Sequence, residues 1–416
     1  MQDEKIVLKL CDIYVACDLG FRAIFFGVDM AKRIQRLLLG VTFLAVSFGP
    51  ALADSSPTPA PDPMIAYRAY DQAVAEGKLA EAAVHAQAAW KDAEAAWGPT
   101  NANTAGLAFN AAWSLALIGK APEGMDAAKR SVELATVGAE AYRPSEAQFL
   151  LAFAEMRAAN EHQKRQKAEA MDVAAKGVEG TWGDTLVVDA LVESSITLST
   201  MGKTKKGAEL AARSATELER LLPNDQARRS LTLLARAVSQ LSDQDKVAAA
   251  YSDVIDARLA YGKMRRPDDA MWGMLSAWEL VINGIHQVGR GSASTIGTNI
   301  TRPKYKLREK TPEEYAQLDV TLPECRGLKI QRRKGAEEIK PPSTSYFTIN
   351  LGGVHIRTDL GPDGKVLNPR VLGVVPDPRY SEASLKAIST WHYDLPADMP
   401  ATCLKDYDIT VVFTMY

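Results

Sequence analysis

A stretch near the end of the chain decides the fold: residues 353–375 read GVHIRTDLGPDGKVLNPRVLGVV. Val354, Ile356 and Thr358 alternate with polar neighbours, which is typical of a strand that buries one face. Residues 361–364 read GPDG, and this predicts a tight turn, because proline fixes one dihedral and glycine accepts a positive φ. The rest of the stretch is predicted to be a second strand, so the two strands form a hairpin.

A helix and a third strand are predicted after the hairpin. Ser381 can cap a helix that runs from Glu382 to about Trp391. Residues 407–416 then alternate again, and we expect one face to pack inward and the other to face solvent. The inward set is Ile409, Val411 and Phe413, and the solvent-facing set is Asp408, Thr410 and Val412. The predicted order β-β-α-β is that of a small α+β domain with an antiparallel sheet.

Five short motifs within residues 350–416 carry a resemblance to a known family. They are GVHIR in the first strand, DGKV at the hairpin, RVL in the second strand, ASLKAI in the helix and WHY after it. In this order they resemble the TonB C-terminal domain, which would then occupy about 324–416. The resemblance implies a periplasmic domain that binds short extended segments of outer-membrane transporters by strand addition. It also implies that the last strand is the binding edge, formed by Tyr407, Ile409, Thr410, Val411 and Phe413.

The first half of the chain repeats with a period of about 41 residues. Helix-ending turn residues recur 42, 41, 42 and 40 residues apart, at Gly77, Gly119, Asn160, Gly202 and Ser242. Small residues follow three of these turns at matched offsets, namely Ala82, Ala86 and Ala89; Gly124, Ala128 and Ser131; and Gly207, Ala211 and Ser214. A period of this size is typical of stacked helix pairs, whose small side chains permit close packing.

This region resembles the tetratricopeptide repeat family in its longer variety. We therefore expect an all-α solenoid over 54–288, closed by a helix between Asp268 and Ile285. An ordinary helical bundle with accidental spacing is the alternative. The sequence GRGSAS after this helix favours a flexible linker, predicted over 289–323. The fold class is thus multi-domain, with a tetratricopeptide-like solenoid followed by a small α+β domain.

Residues 30–53 have the three parts of a secretory signal peptide. A basic head precedes an apolar stretch of 12 residues, Leu37 to Phe48, and Ala51-Leu52-Ala53 supplies the small residues of a cleavage site. At about 1.5 Å per residue the apolar stretch spans roughly 18 Å, which is short of the roughly 30 Å hydrocarbon core. The prediction is export to the periplasm of a Gram-negative bacterium, with cleavage after Ala53. A short anchor retained in the inner membrane and facing the periplasm is the alternative.

Residues 1–29 do not fit in front of a signal peptide. They carry five acidic residues among apolar ones and make no convincing membrane span. We interpret them as a mis-assigned start or a disordered leader, with translation beginning at Met30. The alternative is a cytoplasmic tail on a two-segment anchor.

The cysteines agree with export. Cys11 and Cys17 lie in the leader, which leaves Cys325 and Cys403 in the mature chain. Two cysteines in an oxidising compartment predict a disulfide, and two unpaired buried thiols are the alternative. A bridge closing a loop of this length stabilises by about 4 kcal/mol in the chain-entropy model.

Charge and motifs exclude several function classes. The chain has 49 basic and 51 acidic residues and a net charge of −2, whereas nucleic-acid binders normally show a basic excess. The five histidines form no HExxH motif, and there is no Gly-x-Ser-x-Gly elbow. We expect no enzyme activity, no catalytic, cofactor-binding or metal-ligating residues, no cofactor and no nucleic-acid partner.

Two functions remain as hypotheses. The first is a non-enzymatic periplasmic scaffold, whose TonB-like domain binds partner segments and whose helical repeats bind a second partner protein. The alternative is a membrane-anchored TonB-type energy transducer that contacts inner-membrane energising proteins and outer-membrane transporters. A transducer needs an uncleaved helix and a long proline-rich spacer, and here only residues 56–63 are proline-rich. Membrane contact is expected only if the leader is uncleaved.

We predict that the native protein begins at Asp54. Its intact mass should correspond to residues 54–416, because the signal peptidase acts on the Ala-Leu-Ala site. Recovery of residues 30–53 in the mature protein would contradict cleavage and favour the anchored alternative.

Overall fold

The computed structural model describes most of the chain beyond the predicted leader. The described residues are 61–138, 141–262, 264, 270–291, 306–319, 321–333, 339 and 351–414. The predicted signal peptide at 30–53 and the leader at 1–29 lie outside them.

Eleven α-helices occupy the described residues from 61 to 291, and ten of them follow one another as five helix-turn-helix pairs. The pairs are α1 (Pro63–Ala75) with α2 (Leu79–Trp97), α3 (Ala102–Leu117) with α4 (Met125–Glu133), α5 (Pro144–Ala158) with α6 (Glu161–Lys176), α7 (Leu186–Thr200) with α8 (Thr204–Leu221), and α9 (Gln226–Gln240) with α10 (Val247–Gly262). The longest helix, α11 (Ala270–Gly291), follows them. This part of the chain is helical, as predicted.

All five predicted turn positions lie between the two members of a helix pair. Gly77, Gly119 and Gly202 have φ angles of 72°, 66° and 82°, which glycine adopts without the steric cost of a Cβ atom. Asn160 acts differently, because its side chain accepts a hydrogen bond from the backbone N–H of Gln163 and thereby begins α6. The period read from the sequence is therefore a period of helix-turn-helix units.

The small residues after the turns are buried where the paired helices meet. In α8, for example, Gly207 packs so closely against α7 that a Cβ atom there would lie 2.8 Å from the carbonyl oxygen of Ser195. The offset fails in α6, where Arg165 is exposed and Ala168 and Met171 are buried instead. Helix α6 begins one residue after its turn residue, whereas α2 and α8 begin two residues after theirs. Its buried positions are therefore shifted by one residue.

The C-terminal part contains a three-stranded antiparallel sheet in the order β3-β2-β5. Its strands are β2 (Leu351–Leu360), β3 (Val366–Val375) and β5 (Tyr407–Thr414). Two short strands, β1 (Gln331–Arg332) and β4 (Tyr393–Asp394), pair separately. Helix α12 (Pro312–Leu318) precedes the strands, and α13 (Arg379–Ile388) lies between β3 and β4. The prediction of a helical region followed by a small antiparallel α+β arrangement is confirmed at this level.

Helix α13 differs from its predicted boundaries. It begins at Arg379, whose backbone N–H donates to the carboxylate of Asp377 at 2.9 Å, so Ser381 is a buried residue of the first turn and not the cap. The helix ends at Ile388, and Trp391 therefore lies beyond it. The carboxylate of Asp377, and not the hydroxyl of Ser381, accepts a hydrogen bond from the first turn of this helix.

Helices pack against both faces of the sheet. On one face, Val354, Ile356 and Ile409 pack with Tyr380 and Ile388 of α13. The other face is covered by α11, which packs against β2, β3 and β5.

Glycines bring the backbones of α11 and the sheet into direct contact. A Cβ atom on Gly273 would overlap the backbone of Leu372, and one on Gly373 would overlap the backbone of Gly273. A Cβ atom on Gly353 would lie 2.5 Å from the carbonyl oxygen of Ala277. Glycine inside a strand often marks such an approach.

One division of the described residues lies within α7. The described residues form two compact units, which divide between Ala190 and Leu191 within α7. Helix α11 continues to Gly291, beyond the predicted helical region 54–288, and α12 lies inside the predicted linker 289–323. Leu318 of α12 belongs to the same buried core as α10 and α11. The residues from 324 onwards therefore share a unit with preceding helices.

We predict that Gly373→Ala destabilises the unit from Leu191 onwards by about 2 kcal/mol, because the new methyl group forces α11 away from β3. Gly262→Ala is the matched control: its methyl group would meet its nearest atom, in the ring of Trp272, at 3.7 Å, which is ordinary van der Waals contact. That change should alter stability by less than about 1 kcal/mol. Urea unfolding followed by tryptophan fluorescence measures both, and equal midpoints would contradict the backbone contact.

Candidate partner-binding edge

Strand β5 is a regular edge strand. It pairs with β2 in an unbroken antiparallel register from Thr358 opposite Tyr407 to Leu351 opposite Thr414. Among the described residues, β2 is the one strand that pairs with β5. The other edge of β5 is therefore where an incoming strand would hydrogen-bond.

The five predicted edge residues lie on β5 with alternating exposure. Ile409, Val411 and Phe413 are buried, Thr410 is exposed and Tyr407 is half-buried. Phe413 stacks at a tilt on Tyr380, with ring centroids 4.6 Å apart, and Tyr407 meets Tyr393 edge to face at 5.5 Å. Each end of the strand therefore has one aromatic contact with a neighbouring element.

The opposite edge strand, β3, is irregular. Its register with β2 shifts twice, and the second shift leaves Asn368 and Pro369 without opposed partners. Asn368 has a φ angle of 51°, and Pro369 has no N–H to donate. Bulges and prolines of this kind discourage strand pairing, so the two edges of the sheet differ in their capacity to accept a partner.

Asp408 does not face solvent, in contrast to the expectation from alternation. Its carboxylate accepts a hydrogen bond of 2.8 Å from Nε of Arg357, which lies directly opposite on β2. His355 Nε2 lies 3.3 Å from the other carboxylate oxygen. Both β2 side chains are buried, with 8% and 4% of their surfaces exposed. Arg357 and Asp408 thus form an ion pair between neighbouring strands of the sheet.

The ion pair sets the protonation of Asp408. Burial alone would raise the pKa of this carboxyl, but the side chains of His355 and Arg357 outweigh burial and hold the pKa below its usual range. The sequence contains all three residues at alternating positions. Their contact depends on the register between β2 and β5, which alternation does not specify.

Cys325 and Cys403 are joined by a disulfide, with their Cα atoms 5.5 Å apart. Cys403 is buried and Cys325 is half-buried. The bond links the short 3-10 turn Pro323–Cys325 to another such turn, Ala401–Leu404. It therefore lies just before the candidate edge strand.

The described residues contain neither a candidate metal site nor a candidate membrane-spanning helix. They contain no group of three histidine, cysteine, aspartate or glutamate side chains placed to hold a metal ion. Within the same residues, no helix combines the length and apolar character that crossing a bilayer requires.

Comparison with known proteins identifies no relative: the chain matches no protein family model, no curated protein and no solved structure.

We predict that Asp408→Asn lowers stability at pH 7 by about 3 kcal/mol, because it leaves Arg357 buried without its carboxylate. The folded-state pKa of Asp408 is depressed, so its contribution is present above about pH 4, the unfolded value, and is lost as pH falls through the folded value. Wild type and variant should therefore converge below about pH 4.

Asp398→Asn is the control, since Asp398 is exposed. Urea midpoints measured from pH 7 to pH 3 test the pair. A variant that loses nothing at pH 7, or a difference that does not narrow in acid, would contradict the stabilising role of the ion pair.

Proposed function

We propose that this chain is a non-enzymatic interaction protein of the bacterial periplasm. Its edge strand β5 binds an extended segment of a partner by strand addition, and its helix pairs bind a second partner. The regular, unbroken pairing of β5 on one side carries this proposal, because the strand presents its second side to an incoming chain.

Strand addition at β5 suits the chemistry of this edge. Backbone N–H and C=O groups supply affinity without a side-chain pocket, and alternating side chains of the added strand supply selectivity. A partner's apolar side chains would continue the face of Ile409, Val411 and Phe413. We infer that the ligand alternates apolar and polar residues over about the eight residues that β5 spans.

The order β2, β3, α13, β5 supports membership in the TonB C-terminal domain family. On that proposal, the extended segments come from outer-membrane transporters. The observed difference between the two edges supports β5 over β3, since Pro369 and two register shifts interrupt β3.

We further propose that the helix pairs form a tetratricopeptide-like solenoid. Five pairs recur with the spacing of the predicted turns, and small residues such as Ala86 and Ala128 are buried at matched positions. Stacked arrays of this kind bind peptides or partner helices along one surface. A protein with both parts would hold two partners together in the periplasm.

We predict that Thr410→Pro weakens binding of a partner strand by about tenfold, because proline removes a backbone donor and distorts the edge. Thr410→Val is the matched control: it keeps the N–H and a β-branched side chain at the same exposed position. Asp408→Asn is unsuitable as a control, because Asp408 is paired with Arg357.

The probe is a panel of synthetic peptides from the N-terminal segments of outer-membrane transporters, titrated calorimetrically into the full chain. A circular-dichroism melt of each variant separates lost binding from unfolding. Binding by wild type and Thr410→Val with loss in a folded Thr410→Pro supports strand addition. Unchanged affinity in a folded Thr410→Pro would show that this edge is not the binding surface, and absence of any binding would reject the transporter segments.

A further inference from the structure

The segment before β1 is held to the rest of the protein in an unusual way. Residues 321–329, here named the latch segment, are all exposed or half-buried. Among the described residues, their hydrogen bonds and ion pairs are local, such as Arg326 to Asp319 at 2.9 Å and the N–H of Cys325 to the carbonyl of Leu322 at 2.8 Å. The disulfide to Cys403 is the long-range bond of this segment, with a sequence separation of 78.

The other end of the disulfide lies close to the start of the edge strand. Three residues separate Cys403 from β5. Across this connection, Asp359 accepts hydrogen bonds from Nζ of Lys405 at 3.0 Å and from the backbone N–H of Asp406 at 3.3 Å. Arg370 donates to the carboxylate of Asp406 at 2.6 Å. Lys405 and Asp406 are exposed, and ion pairs of this kind contribute little in water.

The chain just before the latch segment is firmly anchored. Leu318 is buried in the core of α10 and α11. Arg308 pairs with Asp256 of α10 at 2.9 Å, and Lys310 pairs with Glu279 of α11. Residues 308–318 are therefore held against the helices, and the disulfide connects the segment that follows them to the turn before β5.

We propose that the Cys325–Cys403 disulfide is a redox-controlled latch on the binding edge. When oxidised, it holds the 401–404 turn and so keeps β5 ordered from its first residue. When reduced, it leaves that turn held by surface ion pairs and by the partly buried side chain of Leu404, and the start of β5 frays while the sheet and helices remain folded. The effect on partner binding rests on the proposed function of β5, whereas the effect on β5 itself does not.

The reductant is a dithiol, by chemical class. One of its thiolates attacks Sγ of Cys325, the more exposed cysteine, forming a mixed disulfide and expelling Cys403 as a thiolate that takes a proton. The second thiol of the reductant then attacks the mixed disulfide and releases Cys325 as a thiol. Two electrons and two protons pass to the chain, and the dithiol leaves as its own disulfide.

The experiment uses the full chain with Cys11→Ser and Cys17→Ser, so that Cys325 and Cys403 are its remaining cysteines. Oxidised protein is treated with dithiothreitol under native conditions, and free thiols are counted by alkylation and mass spectrometry. Hydrogen exchange of peptides covering 401–410 is compared with that of peptides covering α10. We expect exchange at the start of β5 to rise about tenfold while α10 and the helical circular dichroism stay unchanged.

A variant that also carries Cys325→Ser and Cys403→Ser should show the raised exchange without treatment and no response to dithiothreitol. Affinity for a peptide found to bind β5 should fall about fivefold on reduction. If the native disulfide resists the dithiol, if reduction unfolds the helices, or if exchange at 401–410 does not change, the latch is wrong. If no peptide binds the oxidised chain, the proposed binding function fails, and the exchange data still decide the latch.

Discussion

The contact between α11 and the sheet is the constraint on which the C-terminal half of the structure depends. Gly273 and Gly373 let a helix backbone touch a strand backbone, and Gly353 meets the carbonyl of Ala277 in the same way. Because glycine has no Cβ atom, this approach is closed to every other residue at these positions. The same helix buries Trp272 and Trp278 among the helices before it. One helix therefore packs against both the preceding helices and the sheet.

Local patterns predicted the elements well because they depend on near neighbours. The period of about 41 residues placed five turns correctly, and alternation placed Ile409, Val411 and Phe413 on one buried face. Contacts between distant segments were not predictable in this way. The same glycines that admit α11 also suit turns and bulges, and Asp408 has the sequence pattern of a solvent-facing residue. Only the register between β2 and β5 brings it against Arg357.

The two edge strands of the sheet, β3 and β5, differ in how they present their unpaired backbone N–H and C=O groups. An exposed edge is a hazard because any extended chain can pair with it, and proteins commonly interrupt such edges. Strand β3 carries Pro369 and two register shifts, so its hydrogen-bonding row is broken. Strand β5 keeps a straight register, and its one acidic side chain that could repel a partner is neutralised by Arg357. A regular edge opposite an interrupted one supports the proposal that β5 pairs with a partner strand.

Order in β5 before binding matters for the strength of strand addition. A partner strand gains only backbone hydrogen bonds and some apolar contact, while both strands lose conformational freedom when they pair. If β5 is already held at its start by the Cys403 turn and at its end by Phe413 on Tyr380, most of the conformational entropy lost on pairing is that of the partner strand. If the start of β5 is loosened, it must become ordered when the partner binds, and the entropy lost in that ordering weakens binding. On the proposed function, the affinity of the edge then depends on a bond that lies outside the strand itself.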